Sequence, residues 1–434
     1  LFQFIAFTLR ENGCRPLWHA YNDKHPFYSF TSIKMTMFKL GRASLRRYVA
    51  ALALSFAPLA LFAQDSGASV TEPVFLSELS SIPAPTLGAK AWLSLDVNSD
   101  QIIATHNADE RIEPASLTKL MTAYLVFDAL ESGRLTLDQE ILVSEKAWRT
   151  EGSRMFLNPN SKVTVHELLQ GVIVQSGNDA TVALAEAISG SEEAFAALMN
   201  EEGKRQGLTN THFENSSGLP HPDHLTTVRD LAILAKNLVK DFPQYLHYYS
   251  QKEFLYNKIN QPNRNRLLWL DNTVDGLKTG HTKSAGYGLI TTALRDGRRI
   301  ITVVTGTAND AARTEDSLRL LNWSYQNFET VELYQPNQPI VTARIWEGET
   351  DTVGLGLKRS VWVTVPRGRS NDIKPVAHYT QPLIAPVAQD QQVGTVAFSL
   401  DDHIIANEPL QALNAVPQAG FVGRMIDKVR MWFN

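Results

Sequence analysis

Ser116 and Lys119 stand three residues apart in Glu113-Pro-Ala-Ser116-Leu-Thr-Lys119. Pro114 and the apolar positions Leu117, Leu120, Met121, Tyr124, Leu125 and Phe127 predict that a helix starts here and runs to Gly133. The spacing puts hydroxyl and amine on one face, a turn apart. A serine hydroxyl is a weak nucleophile at neutral pH and needs a base beside it. A lysine amine can be that base if burial, a second cation and the positive helix end bring its pKa down from about 10.4. Alone the pattern is weak: Ser-x-x-Lys is expected about once by chance in a chain of this size, as a helix cap followed by a surface lysine.

Two further clusters carry comparable chemistry. Ser176-Gly177-Asn178 lies between two helical stretches and precedes Asp179, so a tight turn could aim a hydroxyl and an amide into a cleft. An ordinary helix stop followed by an N-cap accounts for the same residues. Lys278-Thr279-Gly280 lies just ahead of a predicted strand at 286–294. On a sheet edge the cation and hydroxyl suit a carboxylate, and the glycine lets the backbone approach closely.

These clusters need a scaffold. Residues 90–105 alternate around Asn98-Ser99-Asp100 and predict a hairpin; 286–294 and 299–306, joined by Arg295-Asp296-Gly297-Arg298, predict another. Helical patterns cover 164–175, 179–189, 192–206 (capped by Ser191), a stretch from Thr227 towards Lys240, and 309–327. Strands at both ends with helices between predict one α/β (α+β) domain whose sheet joins its N- and C-terminal segments. Residues 328–412 break into short β-type runs between Pro, Gly and Asp clusters, and predict a small all-β module.

Together and in this order, the clusters resemble the set Ser-x-x-Lys, Ser-x-Asn, Lys-Thr-Gly of penicillin-binding proteins and serine β-lactamases. The strings EPASLTKLMTAY, SGNDA, NRNRLLW and DGLKTGHT resemble the D-alanyl-D-alanine carboxypeptidases, the low-molecular-mass penicillin-binding proteins, and the likeness covers about residues 75–430. The resemblance implies a β-lactamase/transpeptidase-like catalytic domain with a mainly antiparallel sheet (70–327), the small β domain (328–412) and a C-terminal amphipathic helix (417–434). It implies that Ser116 attacks the carbonyl between the terminal D-alanines of a peptidoglycan pentapeptide stem and that Lys119 takes its proton. By the same likeness Ser176 relays a proton to the leaving amine, Asn178 orients the substrate amide and Lys119, and Lys278 supports the proton network. Thr279 and Arg264 would meet the terminal carboxylate, with Gly280 beside them. The N–H groups of Ser116 and His281 would form an oxyanion hole worth about 3 kcal/mol per donor. No cofactor or metal is implied, and β-lactams would acylate Ser116.

The whole chain has 434 residues and a formal charge of −4, with 44% hydrophobic and 20% charged residues. That composition excludes intrinsic disorder and argues against a general nucleic-acid binder. One cysteine excludes a disulfide scaffold and a thiolate metal cage. Residues 35–63 pair Lys39, Arg42, Arg46 and Arg47 with an apolar run from Val49 to Phe62, the layout of a secretory signal peptide ending near Ala63. An uncleaved anchor is the other reading of that run. Residues 1–34, which hold Cys14, read as an upstream extension before a start at Met35 or Met37. Residues 1–63 carry eight Lys/Arg and two Asp/Glu, leaving −10 over the remaining 371 residues.

Three features complete the reading. Phe421, Val422, Met425, Ile426, Val429, Trp432 and Phe433 fall on one helical face with Arg424, Asp427, Lys428 and Arg430 off it, which suits a helix lying in a membrane interface; docking on the protein's own core is the alternative. His212, His221 and His224 cluster in a polar stretch without helical metal-ligand spacing, so no zinc site is expected. The segment 146–160, containing EGSRMFLN, is a candidate loop beside the active site. A peptidoglycan endopeptidase, a β-lactamase and a catalytically weak wall-assembly scaffold remain as competing functions. No Glu-x-x-Leu-Asn-type segment follows Ser176, which disfavours the β-lactamase.

Overall fold

The structure is a computed structural model, and it describes Leu76 and residues 82–433. The proposed upstream extension and signal segment lie outside the described residues. Among the described residues, no helix is long and apolar enough to cross a membrane.

Five strands build the central sheet: β1 (Ala91–Asp96), β2 (Ile102–His106), β3 (Val274–Thr282), β4 (Gly286–Arg295) and β5 (Arg298–Thr307). Their order is β2-β1-β5-β4-β3, antiparallel throughout, so the N-terminal hairpin joins the C-terminal three strands at the centre. The β4–β5 turn has Asp296 and Gly297 both at positive φ (49° and 78°), the conformation that favours Asp-Gly in a two-residue hairpin. Lys278-Thr279-Gly280 lies within β3, an edge strand, rather than ahead of the first strand of its hairpin.

Alternation along the strands feeds two hydrophobic layers. Ala91, Leu93, Leu95, Ile301 and Val303 face one side and pack with the helices that precede β3 in sequence. Trp92, Ala104 and Val304 face the other, against Leu320 of α5 (Asp310–Asn327). The helices of the first layer are α1 (Lys119–Glu131), α2 (Asn178–Ser189), α3 (Glu192–Arg205) and α4 (Val228–Asp241). Side-chain oxygens of Ser191, Thr227 and Asn309 cap α3, α4 and α5, each accepting from the N–H three residues on. The predicted helix at 164–175 ends early: regular turns cover Val165–Gln170, and a wide π-type turn at Gly171–Gln175 delivers the chain to Ser176.

Helix α1 is buried nearly all round, which a stripe of apolar residues alone would not require. Leu120, Leu125, Val126 and Phe127 are each almost wholly excluded from water, and each contributes about 1.5–3 kcal/mol. The helix that carries Lys119 is thus clamped at the centre of the domain.

From Phe328 the chain forms an all-β unit. Phe328–Tyr334 pairs with Val361–Pro366, and a six-stranded sheet follows with Val396, Phe398, Leu355 and Leu410 in its interior. A helix, α6 (Phe421–Trp432), ends the described chain. The two sheet units meet at Asp96, which is fully buried: its carboxylate accepts from Arg298 Nε (2.7 Å), Thr330 Oγ1 (2.6 Å) and the N–H of Asn98 (2.9 Å). Removing the carboxylate leaves the half-buried Arg298 guanidinium without its ion-pair partner. Asp96→Ala is expected to cost about 3–5 kcal/mol, read as a lower urea midpoint; an unchanged midpoint would contradict this junction.

Candidate active site

The first turn of the Ser116 helix is a tight 3-10 turn, Ala115–Thr118, running directly into α1. Ala115 sits at φ 49° and Ser176 at φ 64°, a left-handed conformation that costs a residue with a side chain on the order of 1–3 kcal/mol. One strained position precedes Ser116 and the other is Ser176 itself.

Lys119 is buried, and its Nζ meets three oxygens: Ser116 Oγ at 3.1 Å, Asn178 Oδ1 at 2.7 Å and the Ser217 carbonyl at 2.6 Å. The amide of Asn178 is oriented by its other end, since Nδ2 donates to the Glu151 carbonyl at 2.6 Å. Its Oδ1 therefore faces the lysine. The carbonyl and the amide oxygen can only accept. They use the two N–H bonds of a neutral amine and leave its lone pair for the Ser116 hydroxyl proton. Burial, above all, and the Arg264 guanidinium lower the Lys119 pKa to about 7, against the opposing pull of Asp179 and Glu192.

Lys278 is also buried, donates to the Thr279 carbonyl at 3.1 Å, and is pushed well below the ordinary lysine range by burial and then by Lys119, Arg264 and Arg313. Four basic side chains thus share one region. A cleft of about 430 Å³ opens there, lined among others by Ser116, Ser176, Arg264, Thr279, Gly280 and His281. Ser176 Oγ is buried without a hydrogen-bond partner among the described residues, and Ser176 lines that cleft. Every site residue expected from sequence is in this cluster: Asn178 and Lys119 through their mutual bond, Lys278 through its strand neighbours.

Close backbone approach holds the cluster together. A Cβ on Gly280 would meet Leu117 Cγ at 3.0 Å and the Pro114 carbonyl at 3.1 Å, so the edge strand abuts the Ser116 turn only because residue 280 lacks one. Gly218 is tighter still: at φ 83°, its Cβ would fall 1.8 Å from the Ala115 carbonyl oxygen. It belongs to the turn Asn215-Ser-Ser-Gly218, where Asn215 Oδ1 accepts from the N–H groups of Ser217, Gly218 and Leu219. This turn presents the Ser217 carbonyl to Lys119. The sequence reading missed it, although Asn-Ser-Ser-Gly is a recognisable turn composition. It also missed Arg313, a buried arginine beside Asp310 and over the Tyr287 ring at 5.5 Å.

The candidate loop at 146–160 does adjoin the site. Ser153 lines the cleft and its carbonyl accepts from the Asn178 N–H at 2.7 Å. The Asp179 carboxylate accepts from the N–H groups of Met155, Phe156 and Leu157 and so pins the loop to the start of α2.

The three histidines separate. His224 is buried: its Nδ1 accepts from the Glu214 N–H at 3.2 Å, so Nε2 carries the proton and donates to Thr118 Oγ1 at 2.9 Å. His212 Nε2 lies 2.9 Å from Glu214 Oε1, and His221 Nδ1 lies 3.9 Å from the same atom. Glu214, His221 and Asp223 bring ligand atoms within 4.8 Å of one another on an open surface, with His224 directed away into the core.

Comparison with known proteins follows the same lines. The family model described as D-alanyl-D-alanine carboxypeptidase matches residues 79–309, and that of the penicillin-binding protein 5 C-terminal domain matches 328–418. The chain belongs to the D-alanyl-D-alanine carboxypeptidase family. It is 42% identical over 370 residues to the carboxypeptidase DacC of Escherichia coli, covering 83% of this chain and 92% of that protein. It is 40% identical over 355 residues to DacA of Haemophilus influenzae, covering 80% and 90%. Penicillin-binding protein 5 of Haemophilus influenzae superimposes with a TM-score of 0.75 at 39% identity, over 77% of this chain and 99% of that structure. The carboxypeptidase reading is thereby preferred over β-lactamase and scaffold, and the expected catalytic fold followed by an all-β domain is the observed one.

Burial holds His224 neutral, with His212, His221 and Lys119 adding repulsion, and its pKa falls to about 4. The unfolded chain titrates this group near 6.5. Between these values the unfolded chain binds a proton that the folded protein does not, so stability falls as pH falls through the window. The full effect is on the order of 3 kcal/mol. Urea unfolding at pH 7 and pH 4 should show this decline for the parent and a shallower one for His224→Gln; equal declines would contradict it.

Proposed function

We propose that Ser116 is the nucleophile and neutral Lys119 its base in a serine D-Ala-D-Ala carboxypeptidase acting on peptidoglycan pentapeptide stems. The observation that carries this is the Lys119 amine, buried against Ser116 Oγ and two oxygens that can only accept. Ser116 Oγ attacks the carbonyl carbon between the two terminal D-alanines while its proton passes to Lys119. The developing oxyanion is received by the N–H groups of Ser116 and His281. Ser176, its hydroxyl otherwise unsatisfied, relays a proton to the departing nitrogen as the C–N bond breaks. D-alanine leaves, and water hydrolyses the ester to return free Ser116. Lys278 adds positive field, and Arg264 and Thr279 hold the substrate's terminal carboxylate. A β-lactam presents a reactive carbonyl and a carboxylate to the same groups and acylates Ser116.

The protein works outside the cytoplasmic membrane, exported by the segment 35–63 and attached to the membrane's periplasmic face through α6. Support comes from how α6 is held. Asp427 is buried, and its Oδ2 accepts from the Glu347 N–H at 2.8 Å. This tether turns the helix so that Phe421, Val422, Ile426, Val429 and Trp432 face outward, with Trp432 87% exposed. An apolar row held away from the protein's own core suits a lipid interface.

Chromatography of a pentapeptide incubation should show D-alanine released by the parent and a loss of at least about a thousandfold in Ser116→Ala, together with loss of labelling by a fluorescent penicillin. Release that survives the substitution would refute the assignment. Deletion of 417–434 should abolish sedimentation with vesicles containing anionic lipid, and continued sedimentation would remove α6 as the anchor.

A further inference from the structure

A second cavity, of about 720 Å³, adjoins the active-site cleft. Asn263 and Arg266 line both, so the two spaces are immediate neighbours. At the sill, Arg266 Nη1 lies 3.3 Å from Asp310 Oδ2 in an ion pair that is largely solvent-exposed and therefore weak. Beyond it the walls are Trp269 and Leu270 on one side and Ala311 and Leu318 of α5 on the other. Trp269 is 49% and Leu270 63% exposed, although Leu267 and Leu268 in the same turn are buried. Large apolar side chains turned outward beside a reaction cleft mark a place where a ligand removes apolar surface from water.

The position in the cleft decides which part of a substrate reaches this groove. Ser116 and Ser176 line the cleft alone, whereas the groove begins past Arg264 and Arg266 on one wall and past Asp310 and Arg313 on the other. Those cations stand where the substrate's terminal carboxylate is held, so the groove lies on the leaving-group side of the scissile bond. The glycan-bearing part of the stem lies on the acyl side of that bond. A D-alanine methyl group leaves most of the groove empty.

We propose that this groove is the subsite for the side chain of the departing D-amino acid and that it accepts large apolar D-residues in the terminal position. The inference rests on the reaction proposed above and adds no new step: Ser116 Oγ acylates on the D-alanyl carbonyl, the C–N bond breaks, and the nitrogen of D-leucine or D-phenylalanine takes the proton in place of that of D-alanine. The side chain lies on Trp269 with its edge against Leu318, while the carboxylate stays with Arg264 and Thr279.

The test uses the full chain and three peptides that differ only in the terminal residue: D-alanine, D-leucine and D-phenylalanine. The parent should release all three with kcat/KM within about tenfold of one another. Trp269→Ala should lower kcat/KM for the two bulky residues about tenfold while leaving D-alanine release within about twofold. Ala311→Phe, which fills the groove from α5, should have the same selectivity. Release of D-alanine alone by the parent, or an equal loss on all three peptides in both variants, would overturn the subsite and leave the carboxypeptidase reading standing. No release from any peptide would overturn both.

Discussion

In the proposed mechanism, everything in this site depends on keeping a primary amine uncharged while it touches the hydroxyl it would deprotonate. The immediate contacts of Lys119 are a carbonyl, an amide oxygen and the serine itself. The carbonyl and amide oxygens matter because they cannot donate, which fixes where the amine hydrogens point and where its lone pair points. Burial supplies most of the pressure towards the neutral form, and the Arg264 guanidinium adds to it. The same cations that would hold a substrate carboxylate therefore help to set the base. Carboxylate binding would relax part of that pressure, because an anion beside Arg264 offsets its charge.

The fold supports this arrangement through contacts that leave no slack. The Ser217 carbonyl is in place because the 215–218 turn presses its glycine against the Ala115 carbonyl, and the edge strand β3 reaches Ser116 because Gly280 has no side chain. Left-handed backbone at Ala115 and Ser176 raises the free energy of the folded chain, offset by the core around α1. Such strain persists only where surrounding packing leaves no alternative. At the junction with the all-β unit, by contrast, the decisive contact is the buried Asp96 carboxylate with Arg298 and Thr330, which ties the end of the β1 strand to the first strand beyond the catalytic sheet.

Side-chain chemistry was largely legible in the sequence, and backbone chemistry was not. Ser116, Lys119, Ser176, Asn178 and Lys278 were found because their residue types and order carry information. The Asp-Gly hairpin and the Ser191 and Thr227 caps were found because each has a local mechanism that needs no tertiary contact. The Ser217 carbonyl was invisible, since every residue has one and only the folded turn selects it. Arg313 was hidden for a related reason: a single arginine in a helix becomes part of the site only when α5 packs on the sheet. The shortened helix before Ser176 reflects a tertiary demand, the delivery of that serine to the cleft, which overrides a helical pattern extending to Gln175. For the histidines, sequence proximity came without metal-ligand spacing, and burial divides them, sending His224 inward and leaving His212 and His221 with Glu214.

The charge state of Lys119 is open to direct observation. Selective isotope labelling of lysine side chains, with the Lys119 signal assigned by its loss in Lys119→Gln, would follow its titration by NMR in the unliganded protein. A midpoint close to pH 7, moving upward in Arg264→Gln, is the result this account predicts. A Lys119 signal that stays protonated to pH 9 or beyond would mean that the amine is a cation in the resting enzyme, and the proposed proton transfer from Ser116 would have to be abandoned.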